Sequence, residues 1–354
     1  MNAVMTKWHL HVLVPGFHNS AVSLERHSMA SVRMRSALAA RAAERLGWLV
    51  TFGERFDGSP DLLYVGKIGG HQAETRGPAW LRYIQKVRER GCRIIVDYTD
   101  HYCGFDGVMT KFYRNLIPFI DHLITPSATM TKMVKEVWSG VPVQIEDPCE
   151  VQSRPVRLPG APPWRALWFG SCTNIRYLIN FLEDARNILQ LRRLNIVTDA
   201  PGCATLVNWL RSLDKPFPLS EIELFNWSLT NLIKASESSD IVVIPSDTND
   251  PRKVGVSENR LVTSLQLGLT TVASPLPSYL RLIDSFVILD ETWSVKVTEA
   301  EGLCFERIAT QRMLSEEFCK ERLTNLWMTT LAGCRMSKYK GFDEKQIEVF
   351  ECSI

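Results

Sequence analysis

Short apolar runs bounded by turns recur along this chain, each followed by a longer stretch with helical spacing, and the pattern breaks once and then restarts. The early runs fall at residues 8–14, 48–52, 62–65, 93–97 and 123–126, with helical stretches at 31–47 and 78–90. Buried strands alternating with helices of this length build a parallel sheet covered on both faces, since parallel neighbours need a crossover connection. Residues 151–163, VQSRPVRLPGAPP, have no hydrophobic period and read as a linker. The alternation then resumes, with strands at 166–170, 195–198, 241–245 and 271–273, a helix at 181–191 and terminal helices at 303–333. The expected organisation is an α/β chain with a first domain at 1–150, a linker at 151–163, a second domain at 164–335 and a polar tail at 336–354. A length of 354 residues agrees with two cores rather than one.

Composition narrows the classes of function. An apolar share of 45% with 23% charged residues describes a globular protein and not a disordered one. The net charge of +2 makes no case for a nucleic-acid partner, which calls for a clustered basic face. Nine scattered cysteines include no CxxC pair, so neither a zinc site nor a disulfide framework is expected, and the reading is a cytoplasmic protein. No G-x-G-x-x-G and no G-x-x-x-x-G-K-[ST] occurs. A D-x-D with acidic neighbours is also missing, so no cofactor and no metal are expected.

The densest chemistry lies in residues 240–279, DIVVIPSDTNDPRKVGVSENRLVTSLQLGLTTVASPLPSY. A buried strand ends at Pro245, and a polar loop carries Arg252 and Lys253. Ser257 reads as the N-cap of a helix with Leu261, Val262 and Leu265 on its apolar face, and Gly268 stops it. Two cations and a helix N-terminus thus meet at the carboxyl edge of a sheet, which suits a phosphate or diphosphate. Arg260 offers a planar fork for two phosphate oxygens and Lys253 a mobile point charge, with Arg252 in reserve.

On Asp240, Pro245, Lys253, Ser257, Asn259, Arg260, Gly268 and the run Val272-Ala273-Ser274-x-x-Pro277-Ser278-Tyr279, this segment resembles the nucleotide-sugar-binding stretch of glycosyltransferases with the GT-B fold. The likeness is strongest to retaining, family-4-like members. The resemblance implies two Rossmann-like parallel-sheet domains facing each other across a cleft. It also implies a transferase moving a sugar from a nucleotide-sugar to a hydroxyl acceptor in polysaccharide or glycoconjugate assembly, retaining rather than inverting. Lys253, Ser257, Asn259 and Arg260 then belong to donor binding, with Arg260 also catalytic. So do Gly170, Ser171 and Asn174 in the turn after Leu167-Trp168-Phe169, and Trp227 where the base is held. The family's usual Glu-x7-Glu pair is absent: its places are Gly255 and Thr263, and Glu258 lies nearby.

In the first domain, Asp100 and His101 follow the strand ending at Asp97 and are the catalytic candidates, with Asp100 as base if the reaction inverts. His18, after the first strand, and Arg33, in Ser31-Val32-Arg33-Met34-Arg35, are the acceptor-side candidates. Asp199 could hold a ribose hydroxyl or cap a turn. Arg41 and Arg45 mark a helix face that could touch anionic lipid, making peripheral membrane contact an open expectation. The alternatives to a transferase are a catalytically inactive GT-B-like binding or scaffold subunit, which the missing Glu pair motivates, and a sugar-nucleotide epimerase of the same architecture.

Overall fold

The computed structural model describes residues 7–336 except 17, 28, 215, 216, 220 and 300–303, so the tail from Ser337 lies outside it. Strands β1 (His9–Leu13), β2 (Leu49–Gly53), β3 (Leu62–Val65), β4 (Arg93–Asp97), β5 (His122–Thr125) and β6 (Val143–Gln144) form one sheet, in the order β2-β1-β3-β4-β5-β6. Strands β7 (Trp164–Phe169), β8 (Leu191–Thr198), β9 (Glu221–Asn226), β10 (Ile241–Ile244), β11 (Thr270–Ala273) and β12 (Val287–Ile288) form the other, in the order β12-β11-β10-β7-β8-β9. Every pairing is parallel. This is the two-sheet α/β architecture expected from the alternating pattern.

Strand order reverses between β1 and β3 in the first sheet and between β7 and β10 in the second. Open parallel sheets leave a crevice at such switch points, outside the carboxyl ends of the strands. The loops that matter are therefore those after β1, β3, β7 and β10.

Local boundaries differ from expectation where a side chain intervenes. The helix expected at 181–191 is two helices, Ile175–Glu183 and Ala185–Ile188, because Asp184 turns the chain and caps the second by accepting from the Arg186 amide at 3.0 Å. β8 consequently starts at Leu191. The helix expected from residue 78 runs Gly70–Glu89 with Pro78 inside it. Pro78 and Glu74 are both exposed, so water can satisfy the carbonyl that the proline leaves without a donor. Arg41 and Arg45 are ion-paired, to Glu25 and Glu321. No helix among the described residues is long and apolar enough to cross a membrane.

The last described helix, Lys320–Met336, follows the second sheet in sequence but packs on the first. Its Leu323, Trp327 and Leu331 share a core with Leu10, Leu38 and Tyr64, and the Trp327 ring lies 5.7 Å from that of Tyr64. Trp327→Ala leaves a cavity in a close-packed core and should lower stability by about 3–5 kcal/mol. A melting curve that moves by less than a degree would place the helix outside the first core.

Candidate functional site

Gly66 to Gly69 follow β3 and carry Lys67, whose ammonium pairs with the Asp100 carboxylate, three residues beyond the end of β4. The Tyr102 hydroxyl donates to the same carboxylate at 2.7 Å. Burial alone would push the Asp100 carboxyl up, but Lys67, Tyr102 and the nearby Lys253 outweigh it and hold the pKa below its ordinary value. His101 beside it is buried, with Nδ1 unpartnered in the structure, and burial lowers its pKa and keeps the ring neutral.

Lys253 reaches Asp100 electrostatically from the other sheet. It sits in the four-residue helix Pro251–Val254 after β10, and its Nζ donates to Asn174 Oδ1 at 2.6 Å and lies 5.4 Å from the Tyr177 ring. Burial, with Arg260 and Lys67 adding repulsion, lowers its pKa to about 8 although Asp100 and Asp250 oppose the shift. Arg252, the reserve candidate, is committed elsewhere: it donates to Asp250 at 2.9 and 2.7 Å, and Tyr177 donates to that carboxylate at 2.6 Å.

Arg260 stands in the first turn of helix Asn259–Gln266. Its guanidinium carbon lies 5.3 Å from the ring centre of Trp168 and 5.7 Å from that of Phe169. Both Nε and Nη2 are buried without a hydrogen-bond partner, and burial pushes the guanidinium pKa down. A buried cation with open donors is costly unless something completes it. A Cβ at Gly170 would press on the Trp168 ring at 3.2 Å and touch the Arg260 guanidinium carbon at 3.4 Å. Lys67 and Arg260 both lie near enough to Lys253 to repel it, with Asp100 paired to Lys67, and an oxyanion is the group that suits such a cluster.

The other candidates divide. Ser171 bonds Thr173 at 2.7 Å, and Asp199 holds this turn by accepting from the Cys172 amide at 3.1 Å while capping the next helix through Gly202 at 2.9 Å. Ser257 accepts from the Asn259 amide at 3.2 Å, but the cap position is Glu258, one residue later than the spacing implied. Asn259 does not face the cations; its amide donates to Asp147 at 3.1 Å. Arg33 donates to both oxygens of Glu150 and to the His27 carbonyl at 2.9 Å, and its guanidinium carbon lies 5.5 Å from the Trp227 ring centre. Arg33 and Trp227 therefore meet across the two halves. His18 accompanies His27, their ring centres 5.8 Å apart, with Nε2 3.2 Å from the Pro15 carbonyl.

At the two places of the missing Glu pair, the first is crowded and the second is buried. The Gly255 carbonyl accepts from Ser127 at 2.9 Å, and a Cβ there would come within 2.8 Å of Met130 Cε and 3.2 Å of its Cα. Thr263 is buried beside Cys149. Glu258 is buried and held by Arg281 at 2.6–3.0 Å. Sequence reasoning missed Lys67, Trp168 and Tyr177; the glycine-flanked Gly66-Lys67-Ile68-Gly69-Gly70 directly after a strand was the readable signal for the first.

No protein-family model and no curated protein matches this chain. Solved structures do. It is similar to a glycosyltransferase from Rickettsia africae, at 11% identity and TM-score 0.63, over 94% of this chain and 98% of that one. An α-glucosyltransferase in complex with UDP-glucose and DNA containing an abasic site matches at 12% identity and TM-score 0.57, over 91% and 99%. A point mutant of S. aureus TarM in complex with fondaparinux, α-GlcNAc-glycerol and UDP matches at 10% and 0.51, over 83% of this chain and 58% of that one. The fold is GT-B, as the motif resemblance implied.

The cluster can be tested with inorganic pyrophosphate. Because burial and its cationic neighbours bring the Lys253 pKa to about 8, an anion that restores its charge should draw about half a proton more at that pH in wild type than in Lys253→Met, the difference cancelling the ionisation of pyrophosphate itself. The affinity advantage of wild type over the variant should be level below pH 8 and fall as pH rises through it. Calorimetry in buffers of different ionisation enthalpy reads both, and equal proton uptake in the two proteins would remove Lys253 from the site.

Proposed function

We propose that this chain is a retaining glycosyltransferase that moves a sugar from a UDP-sugar to a hydroxyl acceptor, without a metal. The observation that carries this reading is the buried, unpartnered Arg260 fork beside Lys253 at the β7/β10 switch point. It lies on a fold whose solved neighbours include complexes with UDP and UDP-glucose. Lys67, Lys253 and Arg260 are the residues we assign to the diphosphate, with Gly170 and Asn174 at its edge and Trp227 toward the base.

In this reading the bond between the anomeric carbon and the terminal phosphate oxygen breaks, and UDP leaves with the electron pair. The acceptor hydroxyl adds on the same face of the sugar, and its proton passes to the departing phosphate oxygen. Arg260 and Lys253 act because negative charge grows on UDP during the step, so they bind the transition state more tightly than the ground state. Retention is favoured by the state of Asp100. A carboxylate already bonded by Lys67 and Tyr102, with a lowered pKa, makes a poor general base near neutrality. Asp100 is therefore given the work of positioning the two lysines, and the neutral His101 that of meeting a sugar hydroxyl. Seven cysteines among the described side chains are free thiols, which supports a reducing, cytoplasmic setting.

The acceptor is read as a glycan or glycoconjugate. Two neighbours are complexes with DNA, so on this fold a net charge of +2 does not by itself rule out nucleic acid as a substrate.

A panel of α-linked UDP-sugars, followed by proton NMR, tests the assignment. The reading predicts release of UDP with an α-configured sugar product, and a fall in kcat of roughly 10²–10³ for Arg260→Ala. Nucleotide binding with no sugar released would instead mark a binding subunit. Interconversion of the UDP-sugar itself would mark an epimerase, and a β product would indicate inversion.

A further inference from the structure

A second concavity, of about 910 Å³, lies in the first half of the molecule, between the loop after β2 and the helix Gly70–Glu89. It begins at Gly16, after β1 and so on the cleft edge of the sheet, and follows one helix face from Thr75 to Arg90, about 22 Å of helix axis. Five cations line it, Arg55, Arg76, Arg82, Lys86 and Arg90, against the carboxylates Glu54 and Asp57. All five are exposed, and of these only Arg76 has a carboxylate partner in the structure, Glu54. The walls are fixed to each other: the Phe56 amide donates to the Tyr83 hydroxyl at 3.1 Å, and Phe56 rests edge-on against His9 at 4.7 Å.

We propose that this groove is the acceptor track, and that the acceptor is an anionic saccharide chain whose growing end lies at the cleft. This rests on the glycosyltransferase reading. Unneutralised cations spaced along one helix face attract a repeating anion, and the rings of Phe56 and Tyr83 offer flat apolar surface to sugar faces. Glu54 and Asp57 can accept bonds from sugar hydroxyls between the anionic groups, and comparison with oligo(dT) separates a saccharide from a phosphodiester backbone. A lipid surface fits poorly: the site is concave, and none of the exposed large apolar side chains among the described residues lines it.

The test compares wild type with the double variant Lys86→Glu/Arg90→Glu, whose sites are exposed and far along the track from the cleft; an unchanged melting curve checks its folding. A size-defined heparin octasaccharide is the probe, alongside a neutral malto-octaose, an oligo(dT) of similar charge and phosphatidylglycerol vesicles. The expected result is heparin binding that weakens steeply with salt and falls at least about tenfold in the variant, with malto-octaose binding far more weakly. Heparin affinity unchanged by the double reversal would overturn the proposal. So would oligo(dT) or vesicles binding more tightly than heparin through these two residues. UDP titration of both proteins separates the two failures: lost UDP binding in wild type defeats the transferase reading. Intact UDP binding with a silent variant defeats only the track.

Discussion

One fully buried arginine ties the two halves together. Arg35 donates through Nε to both oxygens of Asp97, at 2.8 and 2.7 Å, where β4 ends, and Tyr64 adds a bond to the same carboxylate at 2.8 Å. Its Nη1 bonds the Ile145 carbonyl at 2.8 Å and Asp147 at 2.9 Å, on the segment leading out of the first sheet. Asp147 in turn accepts from Asn259, the residue before Arg260. The partners hold the guanidinium fully charged although burial opposes it. Removing one member of such a buried network leaves an uncompensated charge and typically costs about 3–5 kcal/mol. The helix carrying Arg260 is thus registered against the first sheet through a chain of charge-assisted bonds.

That registration brings cations from both halves together. Lys253 and Arg260 arrive from the second sheet, while Lys67 and Asp100 arrive from the first, and mutual repulsion together with burial lowers the pKa of Lys253. The loop bearing Lys253 is pinned by the Ser127–Gly255 bond and lies against Met130, on which a Cβ at position 255 would press. Arg260, with two buried nitrogens short of partners, has its attraction available for an incoming anion, with little reorganisation required. A side chain at position 255 would press on Met130, and position 263 holds a buried threonine rather than a carboxylate. Electrostatic stabilisation of the leaving group therefore has to supply more of any catalysis.

How much of this was legible in the sequence follows from the range of the forces involved. Alternating buried strands and helices set the sheets, because hydrophobic period is local, and the same locality put Lys253 and Arg260 beside one strand end. Long-range partnerships were not legible. Arg33 and Arg35 look alike in Ser31–Arg35, yet one pairs with Glu150 and stacks near Trp227 while the other is the core of the molecule. Helix Lys320–Met336 reads as the end of the second domain, and its docking on Tyr64 rests on a non-local contact that no period announces. Lys67 escaped notice because its significance depends on Asp100, a residue on a neighbouring strand's loop.

The central claim is that the unpartnered Arg260 fork is built for the phosphates of a nucleotide. Thermal unfolding with a panel of nucleoside diphosphates, on wild type and Arg260→Ala, addresses it most directly. A ligand at 100 times its dissociation constant adds roughly 2.7 kcal/mol to the unfolding free energy, a shift of several degrees. The account predicts stabilisation by UDP that is lost in the variant while the variant itself stays folded. A folded wild type that no diphosphate stabilises, or a UDP shift equal in both proteins, would contradict it.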